Sequence, residues 1–388
     1  MARLREKWRM TVLVLTAAAL CLVSLTAEAA AAEEPYKVGA VFAITGPAAS
    51  LGEPERDTVM MMEEQINRAG GINGHPLEMI VYDTAGDETK CVMAVKRLIE
   101  RDKVLAIVGP SRTGTSLAII ETIQRARVPL VSCAAGIQIV EPVKEWVFKT
   151  PQSDVLAVRK ILVFLKSKGI KRVAIMSVSN AFGESGKNEL KRYLPAAGVQ
   201  IVAEETYGDR DTDVTPQLIR IKTKDPDAII NWDTSVGAAV MTKNAHQLRL
   251  KSRLILSHGV ANKTYLDLAG EATEGVVFPA GKLLVAGSLS ADDPQRDILI
   301  KYAEDFERKY KRTADTFGGH AWDAVSLVVR ALRKVGPDRA KIRLQIENTK
   351  GFVGTGGIFN FSREDHNGLT EEAFVMVKVV NGKWTVAD

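Results

Sequence analysis

Cysteine, histidine and aromatic side chains are all scarce in this chain. Three cysteines in 388 residues leave no basis for a disulfide-built scaffold. The five histidines, His75, His246, His258, His320 and His366, are scattered, so no metal site is expected: zinc needs three or four ligands at set spacings. None of the patterns H-E-x-x-H, C-x-x-C or G-x-S-x-G occurs. Without a nucleophile beside a base, the chain is not expected to be an enzyme, and no cofactor is expected. Basic and acidic residues nearly balance, 52 against 47, and no run of like charge forms a nucleic-acid arm. Beyond the first 25 residues no apolar run is long enough to span a membrane.

The start of the chain has a different composition. Arg3, Arg5, Lys7 and Arg9 form a basic opening, Met10 to Leu25 is almost wholly apolar, and Ala27-Glu28-Ala29 and Ala32 follow. A basic segment, a short apolar core and small residues around a cut read as a secretory signal peptide over 1–32, cleaved after Ala29 or Ala32. The apolar stretch is short for a membrane anchor. Cys21 follows Leu20 where lipid attachment needs a small residue, so no lipoprotein is expected. The mature protein is expected in the periplasm, off the membrane. Its remaining cysteines are Cys91 and Cys133. An oxidising compartment permits a bridge between them, although one falls in an expected helix and the other at a strand end.

From residue 36 onward, strand and helix patterns alternate. Apolar strands are expected at Val38–Ile44, Leu77–Tyr82, Val104–Val108 and Pro129–Ser132, with helices at Thr58–Ala69, Glu88–Arg101 and Thr115–Ala126 between them. The rhythm restarts with a helix over Val155–Lys168 and runs to a strand at Leu254–Ser257. Such alternation means parallel sheets covered by helices on both faces, and its restart means two lobes. Strong helices are expected at Asp297–Tyr310 and His320–Val335. The tail reads as strands at Gly357–Phe361, Ala373–Val380 and Lys383–Val386, with an Asn381-Gly382 hairpin turn. No low-complexity linker separates the lobes, a pattern of hinged units.

Gly109 to Ser116 (GPSRTGTS) follows a strand and opens a helix. It has the outline of a phosphate loop, but Thr115 stands where the lysine must be, which excludes nucleotide hydrolysis. Its hydroxyls and free helix N–H groups suit a carboxylate. The next strand ends in the small, polar stretch Ser132 to Gly136. In open α/β sheets, ligands sit at such carboxyl ends.

Several segments, in order along the mature chain, resemble the periplasmic leucine/isoleucine/valine-binding proteins. They are Val38-Gly39-Ala40 with Thr45 to Gly52 (TGPAASLG), Asn67 to Gly74 (NRAGGING), Val108 to Ser116, Ala181 to Glu184 (AFGE), His258 to Asn262 (HGVAN) and Glu274-Gly275. The resemblance implies a type I periplasmic binding fold with three crossovers. Lobe one would comprise 36–151 plus 279–357, and lobe two 152–278 plus 358–388. It implies a monomeric solute-binding protein that passes its ligand to the membrane permease of an ABC importer. The ligand would be a branched-chain amino acid or related small carboxylate.

By the same resemblance, Thr113 meets the ligand carboxylate and the Ala134 backbone meets its head group, with Ala135 and Leu51 beside them. Gly136 stands where the family usually has Thr, and Phe182 where it has Tyr. Thr234, after Asp233, falls near another family Tyr. His258 occupies the position of a family Glu that pairs with the ligand ammonium. Either Asp233 supplies that charge or the ligand has no ammonium. Arg112 offers a cation, and Trp232 is expected as an aromatic wall, with Phe317 and Trp322 as further candidates. An amine-free aromatic or aliphatic carboxylate is therefore the alternative ligand, and a ligand-sensing regulator the alternative role.

Overall fold

The computed structural model describes residues 33–387; the expected leader and its cut lie outside the described residues. Chain order begins β1 (Tyr36–Phe42), α1 (Ala49–Arg68), β2 (Leu77–Asp83), α2 (Glu88–Glu100), β3 (Ala106–Val108), α3 (Thr113–Ala126), β4 (Leu130–Ser132) and β5 (Val147–Lys149). These strands make a parallel five-stranded sheet in the order β2-β1-β3-β4-β5. β3 and β4 are buried along their whole length because helices cover both faces, so they read as unbroken apolar runs rather than alternating ones.

The chain then crosses to a second unit. It comprises α4 (Asp154–Ser167), β6 (Arg172–Val178), α5 (Ala181–Tyr193), β7 (Gln200–Tyr207), α6 (Thr215–Lys222), β8 (Ala228–Trp232), α7 (Ser235–Gln247), β9 (Arg253–Leu256), α8 (Lys263–Ala269) and β10 (Val277–Gly281). A return to the first unit supplies α9 (Arg296–Tyr310), α10 (Thr316–Val335), α11 (Arg339–Glu347) and the small hairpin β11 (Phe352–Val353) and β12 (Ile358–Phe359). A last crossing adds β13 (Phe374–Val380) and β14 (Lys383–Val386). The second sheet runs β14-β13-β10-β9-β8-β6-β7, with β13 and β14 antiparallel. Their turn is Asn381-Gly382, both at positive φ (51° and 67°), as a tight two-residue hairpin demands.

Several boundaries differ from the sequence reading. α1 starts nine residues earlier than Thr58 and runs through Pro54. Proline has no N–H to give the carbonyl one turn back; the Ser50 carbonyl accepts instead from Asn262 Nδ2 of the other lobe, at 3.3 Å. Gly52 lets this extended helix rest on the loop after β1, since a Cβ there would lie 2.3 Å from the Ala43 carbonyl carbon. β10 belongs to the second sheet through Gly281, so the lobe boundary set at 278/279 falls inside a strand. β12 pairs with β11 and stands outside both large sheets. The elements β5, α8 and α11 carry too little pattern to have been expected. Cys91 and Cys133 are free, buried thiols.

The crossovers are laced together by buried polar groups. Lys149, fully buried, donates to the Pro151 carbonyl at 2.6 Å and to Asn367 Oδ1 at 3.3 Å. Gln152 Nε2 donates to the Gly356 carbonyl at 2.6 Å. Asp323 of α10 accepts from the N–H groups of Thr355 (2.6 Å) and Gly356 (2.7 Å) and from Thr355 Oγ1 (3.1 Å). Asp323→Ala therefore strands two buried N–H groups at the lobe junction and costs about 2–4 kcal/mol, because each unsatisfied donor loses its solvation without return. Urea unfolding reads the cost as a lower midpoint; a variant as stable as the parent would show that this carboxylate is not what holds the 354–356 turn.

Candidate functional site

Between the lobes lies a cleft with about 470 Å³ of empty space. Lobe one contributes Leu51, Ser111, Arg112, Thr113, Cys133, Ala135, Phe317 and His320; Pro151 comes from the first crossover. Lobe two contributes Asn180, Phe182, Thr234, His258 and Gly259. Bonds between the lobes rim this space. Arg112 Nη2 meets Asp209 Oδ2 at 2.8 Å, and Ser185 Oγ donates to Gln138 Oε1 at 2.7 Å. Thr316 Oγ1 donates to the Ala261 carbonyl at 3.2 Å, alongside the Asn262–Ser50 bond.

One wall is the start of α3. Its cap position is Arg112, which makes no side-chain cap, so the first-turn N–H groups have no partner within the helix. Of the four hydroxyl residues in this loop, Ser111 and Thr113 line the cleft, but the Ser111 hydroxyl donates to the buried Glu55 carboxylate and accepts from the Ala43 N–H at 3.0 Å. Thr115 and Ser116 instead bond back to the Arg112 carbonyl, at 2.9 and 3.0 Å. Thr113 Oγ1 accepts from the Gly136 N–H at 3.3 Å. A Cβ on Gly136 would stand 2.4 Å from Thr113 Cγ2, so the glycine lets the two segments meet. Gly136 thus buttresses Thr113 and does not line the cavity. The Ala134 N–H is committed to Ser132 Oγ at 3.1 Å, and its neighbour Ala135 faces the cavity.

The opposite wall is aromatic. Phe182 follows Asn180, whose side chain caps α5 by accepting from the N–H groups of Phe182 and Gly183. Trp232, expected as a wall, is fully buried one layer behind, its ring centroid 6.0 Å from Phe182 and 5.8 Å from His258. Phe317 lines the cleft, whereas Trp322 stacks on Phe352 in the core of lobe one.

Charge in and under the cleft is unusual. Asp233 does not line it. Its Oδ2 accepts from Tyr207 Oη at 2.8 Å and its Oδ1 from the Thr234 N–H at 2.7 Å. Burial pushes this carboxyl up to about 7, against the pull of those hydrogen bonds. Burial, aided by the Lys149 charge, pushes His258 down to about 3. His320 is likewise held near 3 by burial, then by His258 and Lys149. Both rings are therefore neutral at physiological pH. Among the described residues, no Asp or Glu lines the cavity. No cluster of metal-ligating side chains occurs among them either.

Eight of the expected residues, Leu51, Arg112, Thr113, Ala135, Phe182, Thr234, His258 and Phe317, come together on this surface. Ala134, Gly136, Trp232 and Asp233 stand immediately behind it. The sequence reading missed Pro151, Asn180, Gly259 and His320 as lining groups, while Ser111 and Cys133 fall in the two strand-end segments it had singled out. His320 had a signal: it lies three residues after Phe317, on the same helix face. Asn180 had one too, as the capping residue of the helix that presents Phe182.

Known proteins give this geometry a context. A family model described as periplasmic binding protein matches residues 35–383. The leucine-, isoleucine-, valine-, threonine- and alanine-binding protein of Pseudomonas aeruginosa is 24% identical over 341 residues, covering 85% of this chain and 89% of the relative. A Leu/Ile/Val-binding protein of Rhizobium johnstonii is 23% identical over 98% of this chain and 100% of its own length. Among solved structures, an extracellular ligand-binding receptor from Rhodopseudomonas palustris superposes with a TM-score of 0.86 at 26% identity, covering 92% of this chain and 100% of that one. A branched-chain amino acid binding protein from Streptococcus pneumoniae, in complex with isoleucine, gives 0.82 at 24% identity, covering 92% and 99%. With the family model spanning nearly all of the described residues, two helix-covered sheets and a cleft between them, the chain belongs to the periplasmic binding protein family, with the type I fold.

Proposed function

We propose that this chain is the exported solute-binding component of an ABC importer, and that its ligand is a small carboxylate without an ammonium group. The charge inventory of the cleft carries this reading. Arg112, Thr113, Thr234 and the start of α3 line the cavity, with no acidic side chain among the described residues that line it; the Ser111 hydroxyl is held by the buried Glu55 behind it. A carboxylate there gains charge-assisted hydrogen bonds and the favourable end of a helix dipole. An ammonium would be buried without a counter-charge, at a cost of several kcal/mol. Asp233 is already committed to Tyr207 and Thr234, and burial favours its neutral form. Leu51, Phe182 and Phe317 supply apolar surface for the body of the ligand. The relatives named for branched-chain amino acids favour a second reading, capture of leucine or its neighbours. That reading requires Asp233 to turn from Tyr207 into the cavity. The family membership and the expected leader support delivery to a membrane permease. No helix among the described residues is long and apolar enough to cross a membrane.

A thermal-shift screen of 4-methylpentanoate, 3-phenylpropanoate, leucine and phenylalanine separates the two ligand readings. A true ligand at 100 times its Kd adds about 2.7 kcal/mol of stability. Stabilisation by the amino acids alone would overturn the amine-free reading. Thr113→Ala is expected to weaken carboxylate binding by about 1–3 kcal/mol, since a charge-assisted hydrogen bond is lost in a dry cleft. Asp233→Asn should leave it nearly unchanged. Calorimetry that finds Thr113→Ala neutral, or Asp233→Asn crippling, removes the placement.

Closure is testable by small-angle X-ray scattering. A carboxylate that binds by closing the lobes should give a smaller radius of gyration than the ligand-free chain. Identical curves with and without a saturating, calorimetrically proven carboxylate would exclude a hinge that shuts on the ligand.

A further inference from the structure

Two neutral histidines, one from each lobe, line the same cleft, and a carboxylate held by the α3 start uses neither. His258 is 7% exposed and His320 5%. Their approach is built into the lobe contact. Thr316, one turn before His320 on α10, donates to the carbonyl of Ala261, three residues after His258. Aromatic rings fix His258 on three sides: Phe374 at 5.5 Å, Phe182 at 5.6 Å and Trp232 at 5.8 Å between centroids. Both ring nitrogens of His258 and Nδ1 of His320 are buried without a hydrogen-bond partner in the protein. Native proteins rarely leave such groups unpaired, so a water or a ligand group in the cleft completes them.

We propose that His258 and His320 are specificity-determining residues that read an uncharged hydroxyl or carbonyl group on the ligand, which makes the ligand class hydroxy- or oxo-carboxylates. This inference rests on the carboxylate reading above. A neutral imidazole offers one N–H and one lone pair. A hydroxyl can donate to one ring while accepting from the other, and a carbonyl can accept from both. An ammonium finds no counter-charge here, and the buried Lys149 charge, which acts on both rings, opposes it. A methylene at this place leaves the ring nitrogens dry and unpaired, which is the strongest form of discrimination a polar pocket exerts.

The test is calorimetry on the mature chain with carbon-matched probes. One series is 4-methylpentanoate, 2-hydroxy-4-methylpentanoate, 4-methyl-2-oxopentanoate and leucine. The other is 3-phenylpropanoate, 3-phenyllactate, phenylpyruvate and phenylalanine. In at least one series the hydroxy or oxo acid should bind about tenfold or more tightly than the plain acid, as expected for two neutral hydrogen bonds. His258→Phe and His320→Phe should each shrink that ratio to about twofold or threefold. Plain acids that bind the parent chain as tightly as their hydroxy and oxo analogues would overturn the clamp and leave the carboxylate reading standing. Tightest binding of leucine or phenylalanine, or no binding by any carboxylate, would overturn the carboxylate reading and the clamp together. A ratio that survives both substitutions overturns the clamp. Should a variant fail to fold, the probe comparison on the parent chain decides alone.

Discussion

Burial around the space between the lobes sets the terms for the polar groups that surround it. Burial drives ionisable groups toward their neutral forms. It holds Asp233 up to about 7 and His258 and His320 down to about 3, and it lowers the fully buried Lys149 ammonium against the pull of Asp154. A closed cleft of this composition is therefore poor in charge of its own. What it can offer a ligand are dipoles: hydroxyls, helix N–H groups and imidazole nitrogens already oriented by the fold. An anion brings the charge with it and finds partners in place, which is cheaper than bringing two buried charges together.

The contacts that hold the lobes against one another are few and modest. Asn262 to the Ser50 carbonyl, Thr316 to the Ala261 carbonyl and Ser185 to Gln138 are neutral bonds, each worth about 1 kcal/mol. Arg112 to Asp209 is a partly exposed pair and adds little more. A total of this size suits a cleft that opens and shuts. The crossovers, by contrast, carry buried and well-satisfied groups such as Asp323, Gln152 and Lys149, and these hold the lobes in register. Pro54 belongs to the first set in an indirect way. Its missing N–H leaves the Ser50 carbonyl for the other lobe, so a residue that disfavours helix supplies a point of contact.

Much of this architecture was legible in the sequence because its signals are periodic. Apolar strands bounded by glycine and proline, and helices with apolar faces such as Val92, Val95, Leu98 and Ile99, announce themselves within a single window. β5 has only the three residues Val147 to Lys149, and α11 lies in a highly charged stretch, so neither announces itself. The start of α1 was hidden by Pro54. At the site, the loop that carries Arg112 and Thr113 could be placed because ligands gather at the carboxyl ends of strands, whereas His258 was placed only through the resemblance to the leucine/isoleucine/valine-binding proteins. Trp232 and Asp233 were placed one layer too far forward: the strand end turns Trp232 into the core, and Asp233 folds back onto Tyr207. His320 comes to the cleft through the return of α10, and its one local signal is its place a turn after Phe317 on the same helix face.

A histidine at position 258, where the resemblance implies an acid, changes the kind of selectivity available, not only its sign. A buried carboxylate facing an ammonium selects by charge and must be repaid by the ligand each time the cleft closes. Two neutral imidazoles impose no such debt on the empty cleft beyond their own unpaired nitrogens, and they discriminate by stranding those nitrogens when the wrong ligand enters. The surrounding residues agree with that choice. Gly136 leaves Thr113 free to face the cavity, Trp232 and Phe374 press on the His258 ring, and Asp233 is tied to Tyr207 and Thr234. Returning a glutamate to position 258 alone would place a carboxylate among three aromatic rings, with the Lys149 charge as its nearest compensation. Burial would then push that carboxyl toward its neutral form, and a protonated acid is no better a partner for an ammonium than the histidine it replaced.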